Sequence, residues 1–328
     1  MPIQLTEIRR AAVLDGACVA EEIKREVAAE VSRLRAEQGV RPGLAAVRVG
    51  DDPASAVYVR SKVKTSEALG LYSEHHALPA ETTTAELLAL VHALNEREEI
   101  DGILVQLPLP RGVDESAVIG AIDPRKDVDG FHPINVGNLS LGRQAFVPCT
   151  PAGILELLRR AGVTVAGAHA CVVGRSHIVG RPLAQLLLHM DATVTICHSR
   201  TPNLAEITRT ADILIAAVGR VGLIRGEHVK PGATVVDVGM NRVSDEAQAH
   251  ELFGERAAER IEVIRRRGAT LVGDIHPAEV GRVAGRLTPV PGGVGPLTVA
   301  MLMKNTLTAA KRLRAVTSDE EEQVTGNK

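Results

Sequence analysis

Tyr58 and Lys62 stand four residues apart in the run Tyr58-Val-Arg-Ser-Lys62, the spacing that puts two side chains on one face of a helix. A phenol and an amine so placed suit proton transfer, although a surface tyrosine beside a solvated lysine has the same spacing. Gln106 closes the apolar run Ile103-Leu-Val105 and is followed at once by Leu107-Pro-Leu-Pro110. In open α/β sheets ligands bind at the carboxyl ends of strands, where Gln106 would sit. Lys126-Asp-Val-Asp-Gly130 puts two carboxylates in a glycine-bounded turn. Such a turn suits a cation, a metal or the N–H groups of a heterocycle, and a plain Asx turn uses the same residues. Thr288-Pro-Val-Pro-Gly-Gly-Val-Gly-Pro296 is a stiff loop with exposed amides that opens the last helix.

A different chemistry is written in Gly174-Arg-Ser-His-Ile-Val-Gly180, which follows the strand-like run Ala170–Val173 and precedes a helix expected at Leu183–His189. Strand, glycine loop and helix is the order in which backbone N–H groups and a helix N-terminus receive a pyrophosphate. Ser176 stands where the usual second glycine would be, and a tight turn without ligand would also use these glycines. The next strand, Thr193–Cys197, ends in His198-Ser199-Arg200 with no carboxylate for a ribose 2′-hydroxyl. Ser199 and Arg200, with Arg175 across the loop, suit a 2′-phosphate, so the expected cofactor is NADP rather than NAD. The Tyr-x-x-x-Lys pair precedes this loop, the reverse of its order in short-chain dehydrogenases.

The elements that hold these residues alternate between helix and short apolar strand, the signature of parallel βαβ organisation. Helices are expected at Cys18–Glu37, after Asp52 with Pro53 at the first position, and at Thr84–Asn95; strands are expected at Leu44–Val49 and Gly102–Val105. Asp123–Gly142 is rich in Asp, Pro, Gly and Asn and reads as an ordered loop or domain crossing. Thr150 then caps a helix with Pro151 at its first position. A second series of strands follows at Ala170–Val173, Thr193–Cys197, Asp212–Ala217, Thr234–Val238 and Thr270–Val272. The charged stretch Ser244–Gly268 interrupts it as an exposed helical insertion, and a long helix runs from about Pro296 to Arg314.

Composition narrows the partners. The 328 residues carry 38 basic and 40 acidic side chains, a net charge of −2, and only 2% aromatic residues. No basic patch or stacking platform points to nucleic acid, and no apolar run reaches membrane-spanning length. The first residues, MPIQLTEIRRAAVLDG, contain no apolar core of a secretion signal, so a cytoplasmic location is expected. Cys18, Cys149, Cys171 and Cys197 lie far apart, with neither disulfide nor metal spacing. The histidines lack ligand spacing too, and no metal is expected.

Together these motifs identify the chain as resembling the bifunctional methylenetetrahydrofolate dehydrogenase/cyclohydrolase family over nearly its full length. The matching runs are Tyr58-Val-Arg-Ser-Lys62, Val105-Gln-Leu-Pro-Leu109, Lys126-Asp-Val-Asp-Gly130, Pro148-Cys-Thr-Pro151, Val173-Gly-Arg-Ser176 and Pro291-Gly-Gly-Val-Gly-Pro296. The resemblance implies an α/β protein of two domains. One is an N-terminal catalytic domain, residues 1–149 completed by the helix 296–328; the other is a Rossmann-like NADP domain of mainly parallel sheet, residues 150–295, with a cleft between them. It implies oxidation of 5,10-methylenetetrahydrofolate with NADP and hydrolysis of the methenyl product to 10-formyltetrahydrofolate. Lys62, Tyr58, Gln106 and Asp129 would be catalytic. Tyr58, Lys62, Val105, Gln106, Leu107, Asp129, Pro291, Gly292 and Gly293 would bind the folate, and Gly174, Arg175, Ser176, Ser199, Arg200 and Met240 the NADP. A homodimer joined through the nucleotide domains is implied as well. The chain departs from the family pattern in the Ser244–Gly268 stretch and in Ile275-His-Pro277. Rival readings are a relative that keeps one activity, a shikimate-type dehydrogenase sharing the nucleotide half, or a non-catalytic NADP- or folate-binding protein.

Overall fold

A computed structural model describes residues 11–325, which form two compact units: residues 20–152 with 298–325, and residues 11–19 with Gly153–Leu297. This grouping differs from a division at 149/150, which leaves residues 11–19 with the first unit. Ala12–Val13 is a short strand paired in parallel with Arg286–Leu287, and that ladder ties it to the second unit.

In the first unit, strand Gly43–Val49 lies between Tyr72–Leu78 and Gly102–Val105, all parallel. Alternate residues Ala45, Val47 and Val49 pack with Leu87, Val91 and Leu94 of helix Thr84–Asn95 and with Ile103 and Val105. Leu44 and Ala46 on the opposite face are fully buried too, as expected of a parallel sheet covered by helices. The start of Thr84–Asn95 is fixed by a capping box: the Thr83 hydroxyl accepts from Glu86 N–H, and the Glu86 carboxylate accepts from Thr83 N–H. Helix Pro53–Ala68 begins as its sequence predicts, with the Asp52 carboxylate accepting from Ser55 N–H at 2.7 Å.

The second unit is built on a six-stranded parallel sheet. Its strands run in the order Ala12–Val13, Arg286–Leu287, Thr234–Asp237, Ile213–Ala216, His169–Val173, Thr193–Cys197. Cys171, Val173, Leu214, Ala216 and Val235 line one face of an aliphatic core. Cys171 and Cys197 are free, buried thiols with sulfurs 3.7 Å apart, consistent with their place in strands.

Three expectations need correction. The Asp123–Gly142 stretch is not all loop: Pro133–Ser140 is a helix, capped by His132 Nδ1 accepting from Ile134 N–H at 3.1 Å. The helix after the expected domain boundary starts at Cys149, ahead of Pro151, and the Thr150 hydroxyl lies 2.9 Å from that of Thr298. Thr270–Val272 does not extend the parallel sheet. It pairs antiparallel with Asn241–Val243, and helices Glu246–Phe253 and Ala257–Arg267 connect the two strands at one end of that ribbon. Among the described residues, no helix is long and apolar enough to cross a membrane.

Candidate active site and nucleotide site

Lys62 sits one turn beyond Tyr58 on helix Pro53–Ala68 and is only 7% exposed. Its Nζ donates to Gln106 Oε1 at 3.0 Å. An ammonium can only donate, so the glutamine must turn its oxygen towards the lysine. Gln106 Nε2 then donates to the Leu107 carbonyl at 2.7 Å, and its backbone N–H donates to Val47 O at 2.8 Å. Both ends of the amide are thus fixed, and with them the position of the lysine head. Val105, the last residue of the strand, is buried. Burial also pushes the half-buried Tyr58 hydroxyl above its ordinary range.

The Lys126–Gly130 turn divides its labour. Lys126 Nζ donates to the carbonyls of Asn95 and Arg97, both at 2.7 Å, and so caps the end of helix Thr84–Asn95. Asp127 accepts from the N–H groups of Gly130 and His132 at 3.1 and 2.8 Å and from Asn135 Nδ2 at 2.8 Å. That half is the Asx turn. Gly130 has φ +73°, and a Cβ there would stand 2.7 Å from Pro148 N, so the turn closes only with glycine.

Asp129 is left for other work. Desolvation raises its carboxyl to about 6, against the pull of the nearby Lys62 charge. Behind it lies the buried Cys149, whose sulfur is 3.9 Å from Asp129 Oδ1. Asn305 ties this region to the last helix, donating to Val128 O at 2.8 Å and to Val147 O at 3.2 Å. Sequence reading passed over Asn305; its one signal is an amide set among the apolar residues of that helix.

In the second unit the glycine loop is a tight strand-to-helix turn. Gly174 has φ +129°, and a Cβ on it would lie 2.2 Å from Ala217 O. A Cβ on Gly180 would lie 2.2 Å from Gly174 O. The helix begins at Gly180, earlier than expected, and Ser176 Oγ accepts from the N–H groups of Val179 and Gly180 at 3.2 and 3.3 Å. Gly174 N–H donates to Cys197 O at 2.8 Å, which sets this loop beside the end of strand Thr193–Cys197. Arg175, Ser176, Ser199 and Arg200 are exposed there. The turn holding Ser199 and Arg200 is pinned by Arg200 N–H donating to His198 Nδ1 at 3.1 Å. Met240 is 42% exposed. A Cβ on Gly295 would meet its sulfur at 3.3 Å, so Met240 and the Pro291–Gly295 loop are neighbours.

Comparison with known proteins identifies the family. The catalytic-domain model of the tetrahydrofolate dehydrogenase/cyclohydrolase family matches residues 14–129, and its NAD(P)-binding-domain model matches residues 148–314. The chain belongs to this family. The bifunctional protein FolD of Koribacter versatilis is 57% identical over 307 residues, 94% of this chain and 99% of that one. Among solved structures, the FolD methylenetetrahydrofolate dehydrogenase/cyclohydrolase of Campylobacter jejuni is 42% identical with a TM-score of 0.83, covering 92% of this chain and 99% of that one. The Trypanosoma brucei dehydrogenase-cyclohydrolase, solved with NADP and an inhibitor, is 42% identical with a TM-score of 0.84, covering 93% and 98%.

Proposed function

We propose that the chain oxidises 5,10-methylenetetrahydrofolate with NADP and hydrolyses the methenyl product to 10-formyltetrahydrofolate. The observation that carries this reading is the Lys62–Gln106 hydrogen bond of 3.0 Å, held at a strand end in a chain of this family. NADP, when bound, accepts the hydride. Gly174, Arg175 and Ser176 would hold its phosphates, Ser199 and Arg200 its 2′-phosphate, and Met240 would contact it as well. The absence of a carboxylate after Cys197 supports NADP over NAD.

For the oxidation, the work of the chain is positioning, because the folate nitrogens supply the electronic push. Lys62, Tyr58, Val105, Gln106, Leu107 and Asp129 hold the folate, and Pro291, Gly292 and Gly293 contribute to its binding. Hydrolysis needs a proton acceptor. Water adds to the methenyl carbon and gives one proton to Lys62 in its neutral amine form, which still donates to Gln106. The adduct then collapses to the formyl group: the bond to N5 breaks as the hydroxyl proton passes to N5. A cytoplasmic homodimer is part of the same reading and rests on the family resemblance.

The test is a coupled assay: methylenetetrahydrofolate with NADP or NAD, then methenyltetrahydrofolate alone. Reduction of NADP in preference to NAD, together with loss of methenyl absorbance, is expected. Reduction without hydrolysis would reassign the chain as a monofunctional dehydrogenase.

Asp129 gives the reading a pH signature. Its carboxylate accepts from pterin N–H groups, and the carboxyl titrates at about 6. As pH falls through that value the acceptor charge is lost, so the KM for the folate rises, roughly tenfold per unit well below it. Asp129→Asn has no such titration, and its KM is expected to be high and flat from pH 5 to 8. An unchanged slope in that variant would take Asp129 out of substrate binding.

A further inference from the structure

Helices Glu246–Phe253 and Ala257–Arg267 play no part in the chemistry above, yet one of their arginines turns inward. Arg260 is partly buried, with its guanidinium 4.7 Å above the Phe253 ring. Its Nη2 donates to the carbonyl of Val290 at 2.7 Å. It does so on the wall of a cavity of about 500 Å³ that Phe253, Val272, Thr288 and Val290 also line. Burial lowers its pKa from the ordinary arginine range, so the charge is kept there against a desolvation cost.

Val290 is the residue before Pro291. Anchors lie on both sides of it: Ala17 N–H donates to Gly292 O at 2.8 Å, Thr288 Oγ1 accepts from Asp237 N–H at 2.7 Å, and Thr288 N–H donates to Val235 O at 3.2 Å. Pro289 and Pro291 have no N–H, so the neighbouring backbone is poor in donors for a carbonyl that faces the cavity. Arg260 supplies that donor from outside. Its planar fork, stacked on Phe253, is oriented before the bond forms, which a lysine would not achieve.

We propose that Arg260 is a positioning residue for the folate, with the charged helical segment serving as a brace that clamps the Val290 carbonyl and fixes the Pro291–Gly295 loop. This rests on the reading that the loop contributes to folate binding. The brace confers shape on the loop, so its loss weakens capture of the folate and leaves proton transfer at Lys62 and cofactor binding at Gly174–Ser176 intact.

The experiment compares full-length Arg260→Met, Arg260→Lys and Gly292→Ala, the last straining the loop directly because φ at Gly292 is +102°. Arg260→Met is expected to raise the KM for methylenetetrahydrofolate about tenfold, with kcat and the KM for NADP within about twofold of the parent. Arg260→Lys should recover part of the loss. A folate KM unmoved by Arg260→Met but raised by Gly292→Ala overturns the brace and keeps the loop's role. No effect from either substitution overturns both. A fall in kcat and in both affinities, in step with the melting temperature, also overturns the proposal, because it marks a merely structural residue. Should Arg260→Met fail to fold, Phe253→Leu with Arg260→Lys makes the same comparison.

Discussion

Lys62→Met is expected to slow hydrolysis of methenyltetrahydrofolate by about a thousandfold or more while slowing the dehydrogenase by about tenfold. Methionine keeps most of the side-chain volume in this nearly closed position but cannot take a proton. It also leaves Gln106 Oε1 without its donor. The oxidation is hit less hard because hydride transfer needs no base, only a substrate held in line. Lys62→Arg sharpens the test. Arginine keeps the charge and can donate to Gln106, but it does not deprotonate in proteins, so hydrolysis should be lost there too. Methenyl absorbance and NADP reduction read the two rates separately. Hydrolysis within about threefold of the parent in Lys62→Met would mean that another group takes the proton.

The opposite split is expected of Gly174→Ala. Its Cβ would be driven to 2.2 Å from the Ala217 carbonyl, at a φ of +129° that alanine does not tolerate. The loop must move, and with it Arg175, Ser176 and the amides that start the Gly180–His189 helix. Dehydrogenase activity should fall at least about a hundredfold with loss of measurable NADP binding, while cyclohydrolase stays within about threefold, because hydrolysis uses no hydride acceptor. Cofactor fluorescence titration and a melting curve separate a lost site from a lost fold. Unchanged NADP affinity would show that the loop is a structural turn. Together the two substitutions should yield one protein that only oxidises and one that only hydrolyses.

Features set by neighbouring residues were readable in the sequence. Asp52-Pro53, the helix at Thr84–Asn95, and the apolar runs Gly102–Val105 and Thr193–Cys197 carry their own signals, and each forms the element expected. Features set by pairing across the chain were not. Nothing within Thr270–Val272 distinguishes a strand of the main sheet from one arm of an antiparallel ribbon, since its partner lies beyond two helices. Two-residue strands such as Arg286–Leu287 are too short for any periodicity. Pro133–Ser140 was obscured by its Pro, Gly and Asn content, its start depending on an unusual histidine cap. At the site, residue types located Tyr58, Lys62 and Gln106. Residue types alone did not separate Asp127 from Asp129; the family resemblance pointed to Asp129, and in the structure Asp127 is the carboxylate that the backbone claims.

The pairing of Ala12 with Arg286 bears on how the protein is made. During synthesis the first strand emerges early, yet its partner is among the last parts of the second unit to appear. The other unit waits as well, because Asn305 on the final helix holds the segment behind Asp129. Neither unit can close while the chain is being extended, so late, long-range contacts govern completion of both. A fragment cut at residue 148 would lack the strand that finishes its sheet, and the matching N-terminal fragment would lack the helix whose Asn305 holds the Val128 carbonyl.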